Sequence, residues 1–133
     1  MTLQRGCTLY NKYHAKKTPS RDGIIHDSKK EARRWDYLNM LQNAGKISDL
    51  QRQVPYELIP AQYEYFERHS KTGRRLKDGR RCVERPVTYV ADFQYTNEQG
   101  ETIVEDAKGV YTNEYVIKRK LMRYIKGITI VEV

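Results

Sequence analysis

Residues 87–108 read Val87-Thr88-Tyr89-Val90-Ala91-Asp92-Phe93-Gln94-Tyr95-Thr96-Asn97-Glu98-Gln99-Gly100-Glu101-Thr102-Ile103-Val104-Glu105-Asp106-Ala107-Lys108. The segments 87–95 and 102–108 are rich in β-branched and aromatic residues, and Asn97 to Gly100 between them is a turn signal, so the stretch predicts a β-hairpin. Side chains alternate along a strand, which puts Thr102, Val104, Asp106 and Lys108 on one face and Ile103, Glu105 and Ala107 on the other. In the first strand Asp92 interrupts a largely apolar run and shares a face with Thr88, Val90 and Gln94. Pairing about the turn then brings Asp92 near Asp106 and Lys108. Two carboxylates beside one ammonium invite a hard cation. Mg²⁺ suits them because it takes oxygen ligands, keeps several waters and is usually held by one or two carboxylates plus substrate phosphate oxygens.

Working outward, Tyr115, Ile117, Leu121, Met122 and Ile125 repeat with helical spacing and Gly127 follows, predicting a helix over 113–126 and a closing strand over 128–133. Upstream, Ala32, Trp35, Leu38 and Leu41 predict a helix over 29–44 that stops at Gly45. Residues 50–59 read as an interrupted or edge strand, broken by Pro55 and closed by Pro60, with Tyr63 and Tyr65 alternating beyond it. Residues 67–86 hold Arg74, Arg75, Arg80, Arg81 and further cations around Gly73 and Gly79, and read as a basic hairpin tip or loop. Residues 1–27 read as an irregular basic arm carrying Lys16 and Lys17, ahead of a single domain over 28–133. The fold class is α/β, a mixed sheet flanked by helices.

The chain has 133 residues, with 25 Lys+Arg against 17 Asp+Glu and a net charge of +8. That surplus favours polyanions, nucleic acid foremost. No run of about 18 apolar residues and no apolar stretch near Met1 is present, so the expectation is a soluble cytoplasmic protein without a membrane partner. Cys7 and Cys82 lack zinc spacing and read as free thiols. His14, His26 and His69 are scattered and read as exposed loop residues.

Asp92 followed by Asp106-Ala107-Lys108, in the predicted order αβββαβ, resembles the PD-(D/E)xK nuclease superfamily, with Ala91 where that pattern often has proline. Within it the chain is similar to a group of short phage proteins, and to phage endonuclease I Holliday-junction resolvases and transposon end-cleaving subunits, over roughly Asn11 to Val133. The resemblance implies a restriction-endonuclease-like core and Mg²⁺-dependent hydrolysis of DNA, with Mn²⁺ able to substitute. It further implies branched DNA as substrate in phage recombination or genome processing, a homodimer, and action in the cytoplasm of a host cell. Asp92, Asp106 and Lys108 are the implied catalytic residues. Glu31 on the first helix is the implied third carboxylate, and the same resemblance implies the Ala107 backbone carbonyl as a further metal ligand. Lys108 would help deprotonate the attacking water and offset charge on the phosphate.

Competing readings stand beside these. Ser28-x-x-Glu31 is also a capping box, in which Glu31 would do nothing chemical. Asp106 and Lys108 could be a surface ion pair. The cations Lys118, Lys120 and Arg123 of the last helix, Arg74, Arg75, Arg80 and Arg81 of the basic loop, and Lys16 and Lys17 of the arm are candidate phosphate contacts, or solvated charge. At the level of function, the alternatives are a non-catalytic nucleic-acid-binding module and a nicking or sequence-directed nuclease subunit.

Overall fold

A computed structural model describes residues 15–133. In chain order the elements are β1 (Thr18–Pro19), β2 (Ile25–His26), α1 (Lys29–Asn43), β3 (Ser48–Ile59), β4 (Gln62–His69), β5 (Arg75–Glu84), β6 (Val87–Thr96), β7 (Thr102–Asp106), α2 (Asn113–Lys126) and β8 (Val131–Glu132). The fold is mixed α/β. The principal sheet has the order β3-β6-β7-β8, antiparallel except where α2 carries the chain across to lay β8 parallel to β7.

Both helices begin and end as their residues dictate. The Ser28 hydroxyl accepts from Glu31 N–H at 3.1 Å to cap α1, and the Thr112 hydroxyl accepts from Tyr115 N–H at 3.2 Å to cap α2. Gly127 ends α2 in the left-handed region at φ 66°, which a residue without Cβ enters at little cost.

Two apolar clusters fill the body. Trp35 and Leu38 of α1 meet Ile47, Phe93 and Ala107, and the Trp35 and Phe93 rings stack with centroids 5.9 Å apart. Tyr115 and Met122 of α2 meet Leu58, Tyr89, Ala91, Val104 and Ile130. Tyr89, Ala91 and Phe93 alternate along β6, so simple alternation would give all three to one core. They are divided instead between Ala91 and Phe93, and Asp92 stands at the division. The β6–β7 ladder ends at the pair Phe93↔Glu105, and beyond it the Asp92 carboxylate, not a main-chain carbonyl, receives the next N–H.

Of the two expectations for the basic segment over 67–86, the hairpin holds and the loop does not. β5 occupies Arg75–Glu84 and pairs antiparallel with β4, closed by a turn at Ser70–Arg74. Ile59 pairs with Val87 and Gln62 with Glu84, so the pairing is in step across the junction, although each ladder shifts register beside it, between Glu57 and Ile59 and between Gln62 and Tyr63. In that register Pro60 falls opposite Pro86. Neither has an N–H to give, so the ladder breaks there and a single long ribbon is divided into an inner half, β3–β6, and an outer half, β4–β5. Pro55, by contrast, does not interrupt β3, because β3 is an edge strand and tolerates a missing donor.

The arm also needs correction over its described part. Residues 15–27 are not wholly irregular, since β1 and β2 pair and enclose a polar knot. Trp35 Nε1 donates to Asp22 Oδ2 at 2.7 Å, Ser20 Oγ donates to Asp22, and Ser20 Oγ lies 3.2 Å from His26 Nε2. His26 is only 2% exposed, so it is a buried residue and not a loop histidine, whereas His69 is exposed. His14 and Cys7 lie outside the described residues, and Cys82 is an exposed free thiol.

Candidate active site

The end of β7 gathers the charged residues. Asp106 closes the strand with 1% of its surface exposed, and Tyr89 Oη donates to its Oδ2 at 2.5 Å. Lys108 Nζ lies 3.0 Å from Asp106 Oδ1, an oxygen that is buried and has no hydrogen bond of good direction. The same ammonium sits 4.5 Å from the centre of the Tyr115 ring, whose π face favours a cation. One strand away, Asp92 Oδ2 accepts from Ala107 N–H at 2.8 Å, tying the two carboxylates to one short segment.

Electrostatics binds the group together. Burial, then the charges of Asp106 and Glu31, push the Asp92 carboxyl up to about 7. Burial also raises Glu31, with Asp27 and Asp106 adding to the rise. Burial and the bond to Asp106 raise Tyr89, so its hydroxyl stays a donor. Asp92, Asp106, Glu31 and Lys108 therefore sense one another. The capping box is half formed: Ser28 caps the helix, while the Glu31 carboxylate is met by the Asp27 N–H and is 9% exposed.

Glu31, Ala107 and Lys108 line a cleft of about 310 Å³ with Ala15, Lys30 and Thr112; Asp92 and Asp106 are not part of its lining and connect to it through the Ala107 N–H and the Lys108 ammonium. Lys30 Nζ donates to the Lys108 carbonyl at 2.9 Å, which holds the chain after β7 against α1. On the other face of β7, Glu105 accepts two bonds from Arg34, at 2.8 and 2.6 Å, and one from Tyr95 Oη at 2.5 Å. Strand alternation assigns Glu105 away from Asp106, and its buried partnership with α1 fixes β7 so that Asp106 faces the other way.

Among the described residues no three His, Cys, Asp or Glu side chains form a ready-made metal cage. A hard divalent cation asks for less, since one or two carboxylates suffice when water and phosphate oxygens complete its shell. The donors fit such an ion in kind: they are all oxygens, Asp106 Oδ1 is buried without a hydrogen bond, and Asp92 and Glu31 carry the mutual repulsion that a cation relieves.

The other candidate residues are spread out. Lys16 and Lys17 are exposed beside Ala15 at the cleft, and Lys17 makes a 3.7 Å pair with Asp27. Arg74, Arg75, Arg80 and Arg81 lie on the outer ribbon, Arg81 2.7 Å from Glu64 and Arg75 3.4 Å from Asp78. Lys118 pairs with Glu114 at 2.9 Å near Pro86 and Val87, whereas Lys120 and Arg123 flank Thr129 and Glu132. The residues that pattern reading missed are Tyr89, Lys30 and Tyr115 as neighbours of the acids. Tyr89 escaped because alternation puts it on the face opposite Asp106, and only the splay of β6 from β7 brings its hydroxyl across.

The chain matches the model of the family described as "Protein of unknown function (DUF1064)" over residues 10–129. No curated protein and no solved structure matches it. The matched residues take in α1, the principal sheet up to β7, and α2, and with them every residue of the acidic cluster: the chain belongs to the DUF1064 family.

Proposed function

We propose that the protein is a divalent-cation-dependent DNA endonuclease of the PD-(D/E)xK type, with Asp92, Asp106 and Lys108 at its centre and Glu31 beside them. The observation that carries this reading is the convergence of a buried aspartate, a second aspartate on the neighbouring strand and a lysine 3.0 Å from the first, in a chain of net charge +8. Clustered acids repel phosphate, so a purely binding module gains nothing from them. A nuclease needs them.

Asp92, Asp106, Glu31 and the Ala107 carbonyl would hold Mg²⁺, or Mn²⁺ in its place. When bound, the ion polarises the scissile phosphate and lowers the pKa of coordinated water. The chain's own residues divide the remaining work. Lys108, steadied by the Tyr115 ring, directs its ammonium to the attacking water and the developing charge on phosphate. Tyr89 orients Asp106 by its 2.5 Å bond, and the Ala107 N–H orients Asp92. Lys16 and Lys17 at the cleft and Lys118, Lys120 and Arg123 on α2 supply phosphate contacts. Branched DNA, processed in phage recombination by a homodimer with a site for each strand, is the substrate class we favour.

The test is cleavage of synthetic junction, flap and linear duplex DNA with Mg²⁺, Mn²⁺ or EDTA. Metal-dependent cutting that is lost in Asp92→Asn supports the proposal, and binding without cutting of any substrate refutes it. Glu31→Gln sharpens it: Gln keeps the size of the side chain and an oxygen to accept from the Asp27 N–H, so loss of most cleavage with an unchanged melting temperature would count Glu31 among the metal ligands.

A further inference from the structure

The outer ribbon has no core. Every residue of β4 is exposed, and of β5 only Gly79 is partly covered. Yet it displays large side chains that a solvated hairpin does not need: Tyr63 is 38% exposed, Tyr65 67% and Phe66 50%. The register sorts them. Tyr63 pairs with Cys82 and Tyr65 with Arg80, so both tyrosines and Arg80 share one face, and the Arg80 guanidinium lies over the Tyr63 ring, 4.4 Å from its centre. Phe66 lies on the other face across Gly79, where an added Cβ would come within 2.4 Å of the ring. Phe66 and Gly79 are thus occupied in holding the ribbon together, while the tyrosine face is left open.

The charge of the whole ribbon, both faces and the turn together, selects its partner. Residues 62–86 contain eight Lys+Arg and four Asp+Glu, a surplus equal to half of the net +8 of the chain. A cationic strip carrying open aromatic rings and a stacked guanidinium matches a nucleic-acid strand whose bases are unpaired, because each ring offers a π face to a base while the arginines follow the phosphates. Paired bases keep their faces buried in the duplex and have none to offer.

We infer that Tyr63, Tyr65 and Arg80 form a stacking platform for unpaired bases of single-stranded DNA. The inference rests on the nuclease reading for its setting and names the part of the substrate that the acidic cluster does not touch. The twelve residues from Arg80 to Asp92 span at most about 40 Å, so the platform engages DNA up to roughly one helical turn from the bond to be cut. A strand branching from a duplex meets that description.

The experiment measures binding without divalent cation, in EDTA, by anisotropy of a dye-labelled oligo-dT strand and of a blunt duplex of the same length, across a series of salt concentrations. Tyr63→Leu/Tyr65→Leu is expected to lose at least about tenfold affinity for the single strand and less than about twofold for the duplex, with the salt slope unchanged, because stacking releases no counterions. Tyr63→Phe/Tyr65→Phe keeps the rings and is expected to retain wild-type affinity. Equal losses on both DNAs, a reduced salt slope, or no loss at all overturns the platform. So does a shift in sedimentation with DNA affinity intact, which would make this face a protein contact. Because no cleavage is read, a protein that stacks single strands but never cuts keeps this inference and loses the nuclease one, and the reverse outcome separates them equally.

Discussion

The inner and outer halves of the long ribbon share two continuous strand paths and little else. The inner half is anchored through Leu58, Tyr89, Ala91 and Phe93 in the two cores, and its half-buried Asp92 is held by the Ala107 N–H. The outer half has no buried side chain and is held by its own ladder, by Phe66 on Gly79 and by exposed ion pairs worth little each. A two-stranded hairpin alone is marginal in water. The same backbone geometry therefore yields a packed frame where a third strand and two helices cover it, on which the proposed chemistry would depend, and a solvent-exposed hairpin beyond Pro60 and Pro86, on which the proposed strand binding would depend.

The strongest way to break this division is to separate cutting from gripping. Asp92→Asn or Asp106→Asn, in the inner frame, is expected to reduce cleavage by roughly a thousandfold or more while DNA binding stays within a few fold, since each removes a ligand charge and no packing. Single-turnover cleavage together with anisotropy reads both. Equal effects on both quantities would remove the distinction between the halves.

Stability offers the next contrast. Phe93 is 1% exposed against Trp35, so Phe93→Ala should cost about 3–5 kcal/mol in urea unfolding. Phe66→Ala in the outer half should leave the global midpoint within error and instead raise amide exchange across β4–β5, because that half opens on its own. A large global loss from Phe66→Ala would mean that the outer ribbon is part of the cooperative core.

Why the sequence revealed one half and not the other follows from the same contrast. Both helices, the 87–108 hairpin and the crossover to β8 were legible because periodic apolar residues mark buried faces, and Asp106 was separable from Glu105 because alternation is strict within a paired strand. The outer strands bury nothing, so Arg75–Glu84 carries no hydrophobic period, and the sequence alone does not choose there between a hairpin tip and a loop. Tyr89 beside Asp106 was hidden because the strands splay after Phe93, and His26 because two-residue strands leave no pattern to detect.

Neutralising Arg74, Arg75, Arg80 and Arg81 together should act on the outer half alone. DNA binding should weaken, and the slope of log K against log salt should flatten by about 0.9 for each phosphate that these arginines no longer neutralise, with cleavage at saturating DNA retained. An unchanged slope would move the DNA path to Lys16 and Lys17 or to Lys118, Lys120 and Arg123.

The smallest expected effect compares two histidines, one in the body and one in the outer half. Burial, with help from Arg52, lowers His26 below its ordinary value of 6.5, and the ring packs 6.0 Å from Trp35. The unfolded chain therefore takes up a proton first. Stability that His26 permits is fully present above about pH 6.5 and is lost as pH falls from there through the depressed folded value, at a slope of at most about 1.4 kcal/mol per pH unit. His26→Asn lacks that proton uptake, so its urea midpoint should fall less steeply than the wild type's between about pH 6.5 and pH 5, whatever its starting stability. His69 is exposed on β4, in the half with no buried side chain, and His69→Asn serves as the control variant. If the two variants instead gave the same pH profile, the knot of Ser20, Asp22, His26 and Trp35 would not be tied into the fold's cooperative unit.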